Sequence, residues 1–260
     1  MTNATATVLA GRAVLVTGAS TGIGRAIALA AAHAGADVAL TFHTNEPDAR
    51  SVAQDIEALG RRAVVIQLDL KDDASVRAVG PAARAALGRL DVWVNNAGAD
   101  ILTGSGASLS KVEKLDLLLA VDLRGTILAS WCAAKLLAEQ EEGGVIINMS
   151  WDHVLTGMPG LNPQLFAAVK GGVLAFSKSL ARSVAPRVRV NVLAPGWIET
   201  SFSRDLDETQ QGVRRRIAES TPLKRWGTPD DVAGAAVFLA SPAAAFLTGQ
   251  TLLVGGGLVM

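Results

Sequence analysis

The hydrophobic positions of this 260-residue chain form short β-branched runs that alternate with Ala-rich amphipathic segments of helical length. Such alternation is typical of a parallel sheet wrapped by helices. Several runs are almost continuously Val, Ile or Leu, as expected for central strands that are buried on both faces. The predicted strands are AVLVT, DVALTF, AVVIQLD, DVWVN, VIINMS, VRVNVLAP and TLLVGG. The pattern therefore predicts an α/β fold, a doubly wound seven-stranded parallel sheet with helices on both faces.

Composition narrows the class of protein. No linker, repeat or low-complexity tract divides the chain, so we expect one domain over residues 1–260. The 24 acidic and 24 basic side chains cancel, which argues against a nucleic-acid partner or an anionic membrane surface. The first residues lack a basic region before an apolar stretch, and no apolar run reaches the roughly 18 residues of a membrane span. These features predict a cytoplasmic protein without a nucleic-acid or membrane partner.

A glycine-rich turn follows the first predicted strand. It reads Thr17-Gly18-Ala19-Ser20-Thr21-Gly22-Ile23-Gly24 and leads into the helical segment GRAIALAAAHAG. Glycines permit a tight turn and a close approach of the backbone to a pyrophosphate, whose charge is stabilised by the N–H groups at a helix N-terminus. The strand-turn-helix context favours dinucleotide binding over a purely structural turn. The predicted contacts are Gly18, Ser20, Thr21, Gly22, Ile23 and Gly24.

Further motifs occur in a characteristic order. The turn has the spacing TGxxxGxG, Asn95-Asn96-Ala97-Gly98 follows the fourth strand, Pro195 to Thr200 (PGWIET) follow the sixth, and LTGQTLLVGGG ends the chain. With these motifs the chain resembles the short-chain dehydrogenase/reductase family over nearly its whole length. The resemblance implies a Rossmann-like NAD(P)-binding fold and a homo-oligomer, either a dimer or a tetramer. The cofactor contacts it implies are Asp69 and Leu70 at the adenine, Asn96, Ala97 and Gly98 along the cleft, and Pro195, Gly196, Ile198 and Thr200 at the nicotinamide half.

The end of the second strand bears on the choice of cofactor. An acidic residue about 18 to 20 positions after the glycines would bind the ribose 2′-OH of NAD. This chain has Thr41-Phe42-His43-Thr44-Asn45 there, with no carboxylate to repel a 2′-phosphate. His43, Thr44 and Asn45 could each donate a hydrogen bond to that phosphate. We therefore expect NADP(H) to be favoured over NAD(H), although neither Arg nor Lys occupies the turn or the strand end.

The catalytic positions depart from the family, which ordinarily uses Asn, Ser, Tyr and Lys. Lys170 fits the Lys position, where the resemblance implies that it holds the nicotinamide ribose. Phe166 stands four residues earlier, where Tyr is expected, and the chain contains no tyrosine at all. Either Trp151 or His153 aligns with the Ser, and Asp122 aligns with the Asn. Loss of one general acid typically lowers a rate by about 10²- to 10⁴-fold.

Three hypotheses about function follow. In the first, Asp152 or His153 supplies the proton of an active oxidoreductase that also uses Lys170 and Asp122. In the second, hydride goes to an iminium or an already polarised acceptor held by Trp151, Phe166 and Trp197. In the third, the chain is an NADP(H)-binding regulator or scaffold without catalysis. No metal is expected, because an isolated Asp-His pair lacks the three or four ligands of a metal site.

The substrate itself is not encoded in a recognisable motif. We expect it to meet the loops over residues 100–110 and 151–163, and a polar helical flap over residues 198–222.

Overall fold

The computed structural model describes residues 7–200 and 208–260 and contains one seven-stranded sheet within them. All pairings between neighbouring strands are parallel, in the order β3-β2-β1-β4-β5-β6-β7. This confirms the predicted fold class, and each predicted strand forms. The strands are β1 (Ala13–Val16), β2 (Asp37–Phe42), β3 (Ala63–Gln67), β4 (Val92–Asn95), β5 (Gly144–Met149), β6 (Val188–Pro195) and β7 (Thr251–Val254).

Helices cover both faces of the sheet and bury a separate apolar cluster on each. On one face, Ile27, Val52 and Val232 belong to a cluster that joins three helices to the strands. On the other, Val79, Leu137 and Leu180 belong to the second cluster. The helices are α1 (Gly22–His33), α2 (Glu46–Ala58), α3 (Asp73–Leu87), α4 (Gly104–Ala107), α5 (Lys111–Leu118), α6 (Thr126–Ala138), α7 (Leu161–Val184), α8 (Glu208–Ser220) and α9 (Pro229–Ala240), with 3₁₀ turns at Asp152–Val154 and Pro242–Ala244.

The strand order reverses between β1 and β4. The chain first builds β1, β2 and β3 towards one edge and then β4 to β7 towards the other. At such a reversal the loops after the two central strands leave in opposite directions and open a crevice at the carboxyl ends of the strands. The glycine-rich turn follows β1 and the NNAG motif follows β4, so the fold brings both motifs to this crevice.

The helical run over residues 111–138 is long and apolar enough to cross a membrane by length and composition. It is not one regular helix, because a π-helical turn at Leu119–Gly125 separates α5 from α6. Asp122 in this turn is only 2% exposed, and α6 packs against β4, β5 and α7. The run is thus an interrupted helical segment that packs on the sheet and exposes Leu119 and Trp131 among charged side chains.

The predicted flap is helical where the structure describes it. The helix α8 spans Glu208–Ser220, and residues 201–207 of the predicted flap lie outside the described residues.

Candidate active site

The loops after β1 and β4 are joined by four hydrogen bonds. Thr17 Oγ1 accepts from the backbone N–H of Asn96 at 2.9 Å and of Ala97 at 3.0 Å. Asn96 Nδ2 donates to the carbonyl oxygens of Thr17 at 2.9 Å and Gly18 at 3.0 Å. The NNAG motif therefore holds the shape of the glycine-rich turn.

Two glycines of the turn have no room for a side chain. A Cβ on Gly24 would lie 2.2 Å from Gly18 O and 2.4 Å from Asn96 Nδ2. Gly18 has a φ of +63°, and a Cβ there would lie 2.9 Å from Ala97 Cα. Thr21 is the N-cap residue of α1, and its side chain makes no capping hydrogen bond to the first N–H groups of the helix. This arrangement suits the binding of an anion at the helix N-terminus.

The end of β2 lies beside the turn. Thr41 Oγ1 accepts a hydrogen bond from the N–H of Gly18 at 3.1 Å. His43 has a 58% exposed side chain, with Nε2 3.7 Å from Asp69 Oδ2. Asn45 is the N-cap of α2, where its Oδ1 accepts from the N–H of Asp48 and its Nδ2 donates to the Asp48 carboxylate. The side chain of Asn45 is thus already engaged in capping, whereas His43 and Thr44 are exposed.

A buried ion pair joins α7 to the π-helical turn. Lys170 Nζ lies 2.9 Å from Asp122 Oδ2, and Asp122 Oδ1 accepts from the N–H of Ala99 at 2.7 Å. Nζ also lies 3.5 Å from the carbonyl oxygen of Met149. Ser150 Oγ donates to the carbonyl oxygen of Lys170 at 2.9 Å. The Lys and Asp predicted from the motifs are therefore in direct contact.

A cavity of about 600 Å³ opens over this ion pair. The predicted cofactor residues on its wall are Ile23, Asn96, Gly98, Lys170, Pro195, Gly196, Ile198 and Thr200, and the three predicted pocket aromatics Trp151, Phe166 and Trp197 also line it. Phe166 lies one helical turn before Lys170 on α7. The structure thus brings the nicotinamide-side motifs and the aromatic residues to one space.

The aromatic side chains form a continuous series of ring contacts. Trp151 meets Phe166 edge-on at 6.3 Å and stacks on His153 at 5.0 Å, with an angle of 22° between the two planes. His153 meets Trp197 edge-on at 6.3 Å, and Trp197 contacts Trp226 at 5.2 Å. The wall is therefore supported from behind by the imidazole of His153.

Asp152 and His153 lie behind this wall rather than on it. Asp152 is fully buried, and its Oδ1 accepts from the backbone N–H of His153 at 2.7 Å and lies 2.6 Å from His153 Nδ1. Its Oδ2 occupies the space that a Cβ on Gly196 or Gly255 would need, at 2.5 and 2.4 Å, and has no hydrogen-bond partner within the described ranges. Neither side chain lines the cavity. The 3₁₀ turn after β5 directs Trp151 to the cavity and the next two side chains inward. Direct protonation of a substrate by Asp152 or His153 stays a prediction, and this geometry does not favour it.

The substrate loops expected from the sequence supply four further lining residues that were not singled out there, namely Asp100, Leu102, Met158 and Asn162, whereas Trp226 lies outside every predicted segment. Asn162 lies one helical turn before Phe166, so the helical spacing of α7 could have revealed it. Its Oδ1 is buried and has no hydrogen-bond partner in the described structure. Trp226 follows α8 and reaches the site only through tertiary packing on Trp197.

Over the described residues, no group of three or more His, Cys, Asp or Glu side chains is arranged to hold a metal ion.

Comparison with known proteins finds relatives that match nearly the whole chain. A family model described as enoyl-(acyl carrier protein) reductase matches residues 18–259. The L-rhamnose 1-dehydrogenase (NAD(P)(+)) of Sphingomonas sp. (strain SKA58) is 38% identical over 251 residues, which cover 96% of this chain and 97% of that protein. The 3-oxoacyl-[acyl-carrier-protein] reductase FabG of Escherichia coli (strain K12) is 38% identical over 252 residues, 96% of this chain and 98% of that one.

Among solved structures, a short-chain dehydrogenase from Burkholderia cenocepacia J2315 in complex with NADP is similar with a TM-score of 0.84 and 36% identity, over 96% of this chain and 98% of that one. A 7α-hydroxysteroid dehydrogenase complexed with NADH and 7-oxo glycochenodeoxycholic acid has a TM-score of 0.87 at 29% identity, over 100% of this chain and 98% of that one. The shared fold, the glycine-rich turn and the near-complete coverage all indicate the same family. The chain belongs to the short-chain dehydrogenase/reductase family of oxidoreductases.

Proposed function

We propose that this chain, as one domain over residues 1–260, is an NADP(H)-dependent oxidoreductase of small molecules that works without the family's Tyr acid. One observation carries the proposal: Ile23 of the glycine-rich turn, Asn96 of the NNAG motif and Lys170, whose ammonium pairs with the buried Asp122, border the same cavity. A binding groove for a dinucleotide therefore runs directly into a pocket for a second molecule.

The residues of the groove fit a dinucleotide. Gly24 leaves no space for a side chain between the two loops, and Thr21 does not cap α1, so a pyrophosphate can approach the N–H groups of the first turn. Lys170 and Thr200 lie where a nicotinamide riboside would enter the cavity. When bound, the dinucleotide supplies or accepts a hydride.

The preference for NADP(H) is supported by the end of β2. No acidic side chain occupies His43-Thr44-Asn45, so nothing in this segment competes with a 2′-phosphate. All three residues are exposed. Asn45 is engaged with Asp48, whereas among the described residues the side chains of His43 and Thr44 form no hydrogen bond and His43 only approaches Asp69, at 3.7 Å. The similar dehydrogenase from Burkholderia cenocepacia was solved with NADP.

The proposed catalytic set differs from the family pattern at three of four positions. Phe166 takes the place of the Tyr, Trp151 or His153 that of the Ser and Asp122 that of the Asn, while Lys170 is retained. A phenyl ring cannot exchange a proton with a carbinol oxygen, so alcohol and ketone chemistry by the usual route is disfavoured. In this proposal Asp152 and His153 support Trp151 and Trp197 from behind and do not touch the substrate.

The absence of tyrosine also favours a second candidate, an NADP(H)-binding regulator or scaffold without catalysis. The two candidates differ in what happens to bound NADPH. A catalyst oxidises it in the presence of an acceptor, whereas a regulator only retains it.

The deciding experiment is a fluorescence titration with NADPH and NADH, followed by single-turnover oxidation of bound NADPH against ketones, quinones and cyclic imines. We expect tighter binding of NADPH and its oxidation by at least one acceptor class. In Phe166→Tyr, a hydroxyl beside Lys170 is expected to raise ketone reduction by about 10²-fold or more. Binding without consumption by any acceptor would support the regulator, and absence of nucleotide binding would refute both candidates.

A further inference from the structure

The charges on the cavity wall are arranged in favour of a cation. Lys170 and Asp100 are the titratable side chains that line the cavity over the described residues. The Lys170 ammonium is compensated by the Asp122 carboxylate 2.9 Å away, which an Asn at that position would not do. Burial opposes the ionisation of Asp100, but hydrogen bonds from Thr103 and Leu102 outweigh it and hold the pKa of this carboxyl below its usual value. The net charge of the cavity wall is therefore negative.

Other parts of the wall are aromatic. Trp151, Phe166, Trp197 and Trp226 all line the cavity. The faces of indole and phenyl rings attract cations and stack on planar groups. Both the aromatic rings and the Asp100 carboxylate thus favour a flat, positively charged molecule.

One polar group on the wall is unsatisfied. Asn162 lines the cavity, yet its Oδ1 is buried and accepts no hydrogen bond from the described residues. A buried acceptor without a donor is destabilising. Since Asn162 lies one turn before Phe166 on the same face of α7, an N–H group of a ring placed over Phe166 is well situated to supply the missing donor.

The supply of protons points the same way. The chain has no tyrosine, Asp152 and His153 lie behind the wall, and the Lys170 ammonium is paired with Asp122. The Ser150 hydroxyl donates its hydrogen bond to the carbonyl oxygen of Lys170. Reduction of a ketone needs a proton for the developing alkoxide. Reduction of an iminium ion needs none, because its positive nitrogen is neutralised as the hydride arrives.

We propose that the substrate is a planar cyclic iminium cation, which lies against the aromatic wall with its N–H donating to Asn162 Oδ1. This inference rests on the proposed NADP(H)-dependent function and names its substrate class. In the reaction the iminium carbon accepts the hydride, the electron pair of the C=N bond becomes the lone pair of the amine nitrogen, and the dihydronicotinamide is oxidised. No proton is taken from the protein.

Three probes of nearly equal shape test the proposal. They are protonated 3,4-dihydroisoquinoline, N-methyl-3,4-dihydroisoquinolinium, which is a cation without an N–H, and 1-tetralone, which is a neutral ketone. Single-turnover oxidation of NADPH is followed with each one. Their binding is also measured without nucleotide, through quenching of tryptophan fluorescence, so that affinity is read independently of catalysis.

We expect both cations to be reduced at least about 10²-fold faster than the ketone. Asn162→Leu should lower kcat/KM for dihydroisoquinoline about 10- to 100-fold and leave the N-methyl cation nearly unchanged. Gln164→Leu on the exposed side of the same helix turn is the matched control and should behave as the parent protein. Asp122→Asn should weaken nucleotide-free binding of both cations by about tenfold without affecting binding of tetralone.

Other outcomes overturn the inference. The inference is wrong if tetralone is reduced as fast as the imines, or if NADPH-loaded protein reduces neither cation. It is also wrong if Asn162→Leu lowers the rates for both cations equally. These results leave the proposed function intact provided that NADPH binds and some acceptor oxidises it. Failure of NADPH to bind refutes the proposed function itself. Thermal unfolding of each variant shows whether it is folded, and the Asn162 variant provides a test even if Asp122→Asn is unstable.

Discussion

There is no room for even a methyl side chain at Gly24. A Cβ would meet Gly18 O at 2.2 Å and Asn96 Nδ2 at 2.4 Å, and both atoms belong to the hydrogen bonds that join the turn to the NNAG motif. Neither contact can be relieved without moving the backbone or breaking the bond from Asn96. At the scale of the single residue, the shape of the cofactor groove thus depends on the absence of a side chain.

We predict that Gly24→Ala loses at least about tenfold in NADPH affinity and about 1–3 kcal/mol of stability, because the turn must shift to accept the methyl group. Gly234→Ala is the matched control: it lies inside α9 with nothing within 4 Å of the added Cβ, and it should be neutral or up to about 1 kcal/mol more stable. Nucleotide titration and thermal unfolding measure both effects. Unchanged NADPH affinity in Gly24→Ala would show that the turn does not form the groove.

The helix α9 packs against α1, so its N-terminus bears on the element that opens the cofactor groove. Thr228 and Asp231 form a capping box there, and Arg225 donates to Asp231 Oδ2 at 2.6 Å and Oδ1 at 2.8 Å. These bonds from Arg225, with those from Thr228, hold the pKa of Asp231 well below its usual range. One carboxylate therefore serves both the cap and the loop before it.

We predict that Asp231→Asn lowers the free energy of unfolding by about 1 kcal/mol at neutral pH. Because the pKa of Asp231 is depressed in the folded state, its stabilisation is present above the unfolded pKa of about 3.9 and is lost as the pH falls further. The difference between parent and variant should thus shrink below about pH 4 in denaturant titrations. Asp230→Asn, in the same helical turn but outside the capping box, should have a smaller effect, and equal effects would argue against the cap.

The outer face of the α5–α6 run carries a mainly apolar groove away from the site. This groove over the π-helical turn is lined by Asp116, Leu119, Ala120, Leu123, Arg124, Ile127, Leu128 and Trp131, and Trp131 is 55% exposed. Trp131 meets Phe176 of α7 edge-on at 6.2 Å. At the scale of the whole molecule, an apolar helix face of this kind is typical of a protein contact.

We predict that the chain forms a dimer or tetramer through this face. Trp131→Glu should shift the mass measured by light scattering towards the monomer, because a carboxylate would be buried in the contact. Leu59→Glu, a similar change at a 38% exposed apolar residue that follows α2, is the control and should leave the mass unchanged. A monomeric parent protein, or an unaltered oligomer in Trp131→Glu, would contradict the prediction.

Much of the whole fold was predictable because it depends on local pattern. Each of the seven strands was found from its run of β-branched residues, and their parallel arrangement followed from the intervening helices. The π-helical turn was not predicted, since VDLRG has the composition of an ordinary helix. That turn nevertheless places Asp122 against Lys170.

The sequence by itself determined which chemical groups are available: a glycine-rich turn after a strand, a lysine on the seventh helix, no carboxylate after the second strand and no tyrosine anywhere. These are properties of composition and spacing, and folding cannot change them. Only the tertiary structure decided which side chains face the cavity. It placed Asp152 and His153 behind Trp151 and joined the distant Trp226 to Trp197. It also left Asn162 Oδ1 without a hydrogen-bond partner among the described residues, because side-chain direction depends on packing between elements far apart in the chain.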